Sequence, residues 1–336
     1  MAEIVSGIAT SHGPLLILPP EDWTIRAEFD RTKEFHDFQG GRYTFDELVA
    51  KRGPDSFTER FTLEARQDHF RRCQLQLDAL ADYMAELKPD ILVVIGDDQK
   101  EWFFDEVQPA YAIFSGDAIL NEGYDPEKHK NSHKSIQLVE MHRHTPVDTY
   151  YDCVPELANH MVAEAMEAGF DVTASTTLPQ GPDGPRGIGH AFSFIYRRIL
   201  RDNAIPLVPV LLNTFFAPNQ PRAKRCFDLG RAIGEAVKSW PTDARVCIVA
   251  SGGLSHFVID EEWDLRMLKA MAEGDVDTLI NEPQNIFESG TSETKNWFTA
   301  IGALSDTGFK MDLLDYVPCY RSEAGTGNAM GFAIWN

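Results

Sequence analysis

Three histidines in this chain stand where short apolar runs stop: His12 in "GIATSHGPLL", His190 in "GIGHAF" and His256 in "SGGLSHF". Carboxylates flank similar breaks, with Asp97 and Asp98 in "VVIGDDQKEWF" and Glu262 six residues after His256. Imidazole titrates near neutral pH and ligates transition metals, while carboxylates neutralise a bound cation. Gathered in one crevice, such groups would serve metal-assisted or acid–base chemistry. Each also has a plain structural use. Asp97 and Asp98 are good turn and helix-cap residues, a single histidine can cap a helix, and Glu262 in a first helical turn is stabilised by the dipole alone. Gly252-Gly253 can mark a tight strand-to-helix turn. The case for a site therefore rests on the set rather than on any member.

Elements that would gather the set are visible in the hydrophobic pattern. Five short apolar runs read as strands: "EIVSGIA" from Glu3, "DILVVIG" from Asp90, "DVTAST" from Asp171, "IPLVPVLL" from Ile205 and "RVCIVA" from Arg245. Their near-continuous hydrophobicity predicts strands covered on both faces, as in a largely parallel sheet. Between them, Phe70, Cys73, Leu77, Leu80 and Met84 recur at helical steps, as do Cys226, Leu229, Ile233 and Val237. Strands alternating with helices predict an α/β layered fold, expected here as one domain over residues 1–336. Open α/β sheets bind ligands beyond the carboxyl ends of their strands, which is where His12, Asp97, His190 and His256 fall.

Two polar segments, 20–60 and 115–150, break the rhythm and read as irregular insertions, of the kind that are usually functional or mobile. The second holds His129, His133, His142 and His144, read as a solvated loop rather than a metal site. "SGGLSH" is not the G-x-S-x-G elbow of a serine hydrolase. With 31 Lys and Arg against 52 Asp and Glu, a net charge of -21 disfavours nucleic acid as a partner. No run reaches the ~20 apolar residues needed to span a bilayer, and no partner membrane is expected. The five cysteines form no C-x-x-C pair and the N-terminus lacks a secretory pattern, so a cytoplasmic location is expected.

Taken together, "GIATSHGPLL", "ILVVIGDDQKEWF", "GIGHAF", "LLNTFFAPNQPRAKRCFDLGRAIGEAV", "SGGLSHFVIDEEWD" and "ESGTSETKNWFTAIGAL" resemble the class III extradiol ring-cleaving dioxygenases. The similarity is to the protocatechuate 4,5-dioxygenase beta chain and its relatives acting on gallate and 3-O-methylgallate. The resemblance implies an α/β sandwich, non-haem Fe(II) held by two histidines and a glutamate, and a small aromatic diol opened with O2. It implies His12 as the first ligand, Glu262 as the carboxylate ligand, His256 as the acid/base and His190 as a residue lining the substrate pocket. Gln99 stands where the family has its second histidine ligand, so the shell is completed by Gln99 or, instead, by Asp98 or Glu101. A homo-oligomer, with or without a small alpha-type subunit, is implied as well. Two alternatives remain beside it, a relative with an altered metal shell and a hydrolytic or lyase reaction, and a non-catalytic scaffold.

Overall fold

A strand buried on both faces must be apolar at every position, whereas one with a solvated face alternates. The computed structural model, which describes residues 1–181, 184–185 and 187–336, places the five anticipated runs in one nine-stranded sheet. Its strands are β1 (Glu3–Thr10), β2 (Ile91–Asp97), β3 (Tyr111–Phe114), β4 (Thr173–Ser175), β5 (Leu207–Leu212), β6 (Arg245–Ser251), β7 (His256–Val258), β8 (Met311–Tyr320) and β9 (Thr326–Trp335). The order across the sheet is β7-β9-β1-β6-β2-β5-β3-β4, with β8 paired to β9. The central four, β1-β6-β2-β5, are parallel. Antiparallel pairs join β9 to β1, β7 and β8, and β3 to β5.

Successive residues of the central strands feed opposite layers. In β2, Val93 and Ile95 pack into the layer with α4 (Pro155–Glu167), α6 (Ala223–Ser239) and α8 (Thr294–Leu304). Leu92 and Val94 pack into the other layer, against α2 (Leu63–Leu87) and the segment from Ile188 to Leu200. Burying each such side chain contributes about 1.5–3 kcal/mol, so coverage of both faces is what makes these runs apolar throughout. The expected α/β sandwich with a parallel centre is the observed fold.

The C-terminal hairpin β8–β9 went unread in the sequence. Its first strand carries Asp312, Asp315 and Pro318 and is partly exposed, so it has no continuous apolar signal. The insertions also differ from expectation, because neither is irregular. Residues 20–60 form α1 (Trp23–Thr32), the hairpin His36–Phe38 with Gly41–Tyr43, and a helix Phe45–Arg52 capped by a Thr44–Glu47 capping box. Residues 115–150 form the strand Ala118–Asn121, paired with Thr149–Asp152, and α3 (Lys134–Arg143). His129 and His144 are half-buried beside Glu140 in a three-residue cluster, not spread along a solvated loop. No helix among the described residues is long and apolar enough to cross a membrane.

One helix pair sets the position of the site floor. A Cβ on Gly230 would lie 1.9 Å from Thr299 O, one on Gly234 2.4 Å from Ala303 O, and one on Gly302 2.1 Å from Phe227 O. α6 and α8 thus meet backbone to backbone, at a separation no larger residue permits. That contact anchors α8, whose preceding residue is Glu293.

Candidate active site

His12 follows the end of β1 and is almost wholly buried. Its Nδ1 lies 2.9 Å from Ser251 Oγ at the end of β6, and that hydroxyl spends its own proton on Ala191 O at 2.6 Å. Ser251 must therefore accept, so His12 carries a proton on Nδ1 and Nε2 is left to face the cavity. Such a second hydrogen bond is how proteins fix the tautomer of a metal-binding histidine.

Around His12 Nε2 stand Glu293 Oε2 at 3.3 Å, His190 Nε2 at 3.1 Å and Asp97 Oδ1 at 3.9 Å. Asp97, the last residue of β2, is fully buried, and its Oδ1 also accepts from Asn296 Nδ2 at 3.0 Å. Burial and the neighbouring Glu293 charge push the Asp97 pKa up. Burial would raise that of Glu293 too, but His256 and His12 outweigh it and hold it well below the usual range. Two carboxylates beside a nitrogen lone pair repel one another unless a proton or cation lies among them. His12, Asp97 and His190 bring ligand atoms within 4.8 Å of one another. This mixed nitrogen and carboxylate donor set fits a divalent transition metal.

His256, the first residue of β7, lies on the other side of Glu293, with Nε2 3.1 Å from Glu293 Oε1. Its Nδ1 donates to Leu254 O at 2.8 Å, since a carbonyl can only accept. Burial would lower the His256 pKa, but Glu293 and the Leu254 carbonyl raise it overall. The neighbouring glycines serve close approach. A Cβ on Gly290 would meet His256 Cδ2 at 2.1 Å, and one on Gly252 would meet Asn296 Nδ2 at 2.7 Å. Neither Gly252 nor Gly253 has a positive φ, so room rather than a sharp turn is what the pair provides. Gly253 also donates its N–H to Glu293 Oε2 at 2.8 Å.

His190 begins α5 (His190–Phe194). Its Nδ1 and backbone N–H both bind the Glu101 carboxylate, Nδ1 at 2.7 Å, and Glu101 is paired in turn with Arg143. Burial would lower the His190 pKa, yet the Glu101 charge and hydrogen bond push it up to about 9. Of the glycine-rich stretch before His190, residues 182, 183 and 186 lie outside the described residues.

Of the anticipated site residues, His12, His190 and His256 come together and Glu262 does not. Glu262 is exposed on α7 (Glu261–Glu273) and does not line the cavity, because the strand His256–Val258 and the two residues after it carry the chain away from the cluster. The carboxylate that lies beside His12 and His256 is instead Glu293, in "SETKNW". Gln99 reaches the cavity, but its amide nitrogen donates to Asp97 Oδ2 at 2.9 Å. From the end of β2 it is Asp97, whose residue type also suits a turn, that faces His12 beside Glu293. Asp98 accepts from the backbone N–H groups of Glu101, Trp102 and Phe103, and Glu101 serves His190. Glu293 carries one signal in the sequence, its place within "ESGTSETKNWF", a stretch that shares the family resemblance.

His12, His190, His256 and Glu293 form the floor of a cavity of about 730 Å³ with Phe70, Phe194, Phe215 and Phe257 in its walls. Such walls suit an aromatic ligand.

Residues 64–326 match the family model described as the catalytic LigB subunit of aromatic ring-opening dioxygenase. A 96-residue stretch is 36% identical to gallate dioxygenase of Pseudomonas putida, covering 26% of each chain. The 2,3-dihydroxyphenylpropionate/2,3-dihydroxicinnamic acid 1,2-dioxygenase of Comamonas testosteroni is 22% identical over 275 residues, 65% of this chain and 76% of that one. Its namesake from Mycobacterium sp. (strain MCS) is 29% identical over 176 residues, 52% of this chain and 46% of that one.

Proposed function

We propose, from the premise that this chain belongs to the family of the catalytic LigB subunit of aromatic ring-opening dioxygenases, that it opens the ring of a catechol-type aromatic acid with O2 as an Fe(II)-dependent extradiol dioxygenase. The reading is carried by the convergence of His12 Nε2 and Glu293 at the floor of an aromatic-walled cavity, with Asp97 buried directly behind them. His12, Asp97 and Glu293 would hold the metal, with Gln99 keeping Asp97 oriented. Iron(II), when bound, supplies Lewis acidity and redox chemistry for the reaction of a diol with O2.

The chain's own groups do the remaining work. Catechol hydroxyls must lose protons near neutral pH, and a histidine is suited to carry them. His256 is that group, and Nε2 is the atom that exchanges, because Nδ1–H is committed to Leu254 O. His190, held at Nδ1 by Glu101, presents Nε2 to the diol as a hydrogen-bond partner. Phenylalanine walls exclude water and orient the ring. The names of the relatives, which specify gallate and dihydroxyphenylpropionate, support a catechol-type acid. A cytoplasmic setting belongs to the same proposal, supported by five buried cysteines, all free.

Oxygen uptake tests the reading. Purified full-length chain, loaded anaerobically with Fe(II), is mixed with protocatechuate, gallate, 3-O-methylgallate and 2,3-dihydroxyphenylpropionate in turn. Consumption of one O2 per ring opened is expected with at least one of them. No uptake with any diol by iron-loaded protein would overturn it.

A further inference from the structure

Among the described residues, five arginines line the cavity: Arg26, Arg143, Arg197, Arg198 and Arg321. Four have carboxylate partners, in Glu101, Asp202, Asp78 and Asp30 respectively. Arg26 has no hydrogen bond or ion pair to any described residue, and its Nε is buried without a partner. A guanidinium carries five donors and keeps its charge throughout the physiological range. Leaving it half-buried and unpaired costs free energy that a ligand could recover.

Asp30, whose charge acts on Arg26, does not pair with it. Asp30 lies one turn further along α1, but both its oxygens are taken by Arg321, at 2.6 and 2.8 Å, and one also accepts from Thr326 Oγ1 at 2.5 Å. Burial and the adjacent Arg321 charge lower the Arg26 pKa, outweighing Asp30, which agrees with an uncompensated cation. This arrangement is continuous with the site floor. Arg321 donates to Asn328 Oδ1 at 3.1 Å, and Asn328 packs against Gly13, the residue after His12. The cavity also has room beyond a single ring, since volumes of ~300–1,000 Å³ hold drug-sized ligands. Finally, α1 lies before residue 64, where the family match begins, so Arg26 is contributed by a segment outside it.

We propose that Arg26 is an anion-recognition residue of this cavity, and that the substrate carries a carboxylate which pairs with it while the diol occupies the His12 end. The assignment rests on the ring-opening reading for the diol, but the anion subsite itself can be measured without turnover. Binding of 3-phenylpropionate, which has no ring hydroxyls, is compared with that of 3-phenylpropanamide by calorimetry in full-length protein. The unsubstituted protein should prefer the carboxylate by roughly 10- to 100-fold, the range for a hydrogen bond to a charged group. Arg26→Gln should erase that preference and Arg26→Lys should restore part of it, which separates loss of charge from loss of fold. Equal binding of acid and amide by the unsubstituted protein, or an undiminished preference in Arg26→Gln, overturns the assignment. A preference for the carboxylate together with no O2 uptake on any diol leaves Arg26 standing and removes the dioxygenase reading. Ring opening without the preference does the reverse.

Discussion

Two acidic regions lie near His256 and do different work. The first turn of α7 offers Glu261, Glu262 and Asp264, and none of them faces the cavity. Glu261 pairs with Arg60 and Tyr320, Glu262 is exposed, and Asp264 is buried behind the turn, where it accepts from Ser255 N at 2.8 Å, Ser255 Oγ at 2.5 Å and Tyr316 OH at 2.8 Å. Glu293, just before α8, instead touches both His12 and His256. Asp264 braces the turn that presents His256, while Glu293 meets His12 and His256 themselves. Nearness in sequence selects the brace, and packing of α8 against α6 selects the site.

Substitutions sharpen this contrast. Glu293→Ala should have the largest effect, with loss of stoichiometric metal and of ring opening, because it removes a carboxylate from the cation's donor set. Metal content per chain after Fe(II) loading is the readout, and full loading would return the carboxylate role to another residue. His256→Ala should keep metal and lower turnover by roughly 100- to 10,000-fold, the usual loss when a general acid–base group is removed. A variant that turns over normally would reduce His256 to a packing residue.

Asp264 tests the brace through stability. Burial lifts its pKa to about 7, prevailing over the hydrogen bonds from Ser255 and Tyr316. The folded value lies above the unfolded one of about 4. The group's contribution is therefore full below about pH 4 and is lost as pH rises through 7. Asp264→Asn, which cannot ionise, should gain stability relative to the unsubstituted protein across that window. Denaturant midpoints at pH 4.5 and 7.5 measure it, and a pH-independent difference would show that Asp264 is ionised throughout. Glu262→Ala should do least, within about 0.5 kcal/mol in stability and with metal loading unchanged. A drop in metal content there would break the contrast outright.

Much of the architecture was legible because strands covered on both faces leave a one-dimensional mark. The runs at Ile91–Asp97, Leu207–Leu212 and Arg245–Ser251 needed only their hydrophobicity to be placed. The hairpin β8–β9 and the helices of the insertions left a weaker mark, since polar and apolar residues mix along them. At the site, the histidines were legible because each ends an apolar run or opens a helix. Glu293 and Arg26 were not, since one lies 37 residues beyond His256 and the other in a segment that reads as polar insertion.

The sequence by itself determined the central strands, the crevice at their carboxyl ends and the histidines that enter it, because strand ends project whatever residue follows them into that crevice. Tertiary structure alone decided which carboxylate meets those histidines. Glu262 and Glu293 are the same chemical group, and it is the close packing of α8 at Gly230, Gly234 and Gly302, with Asn296 and Trp297 bonded to Ser251 O and Gly252 O, that brings Glu293 to both His12 and His256.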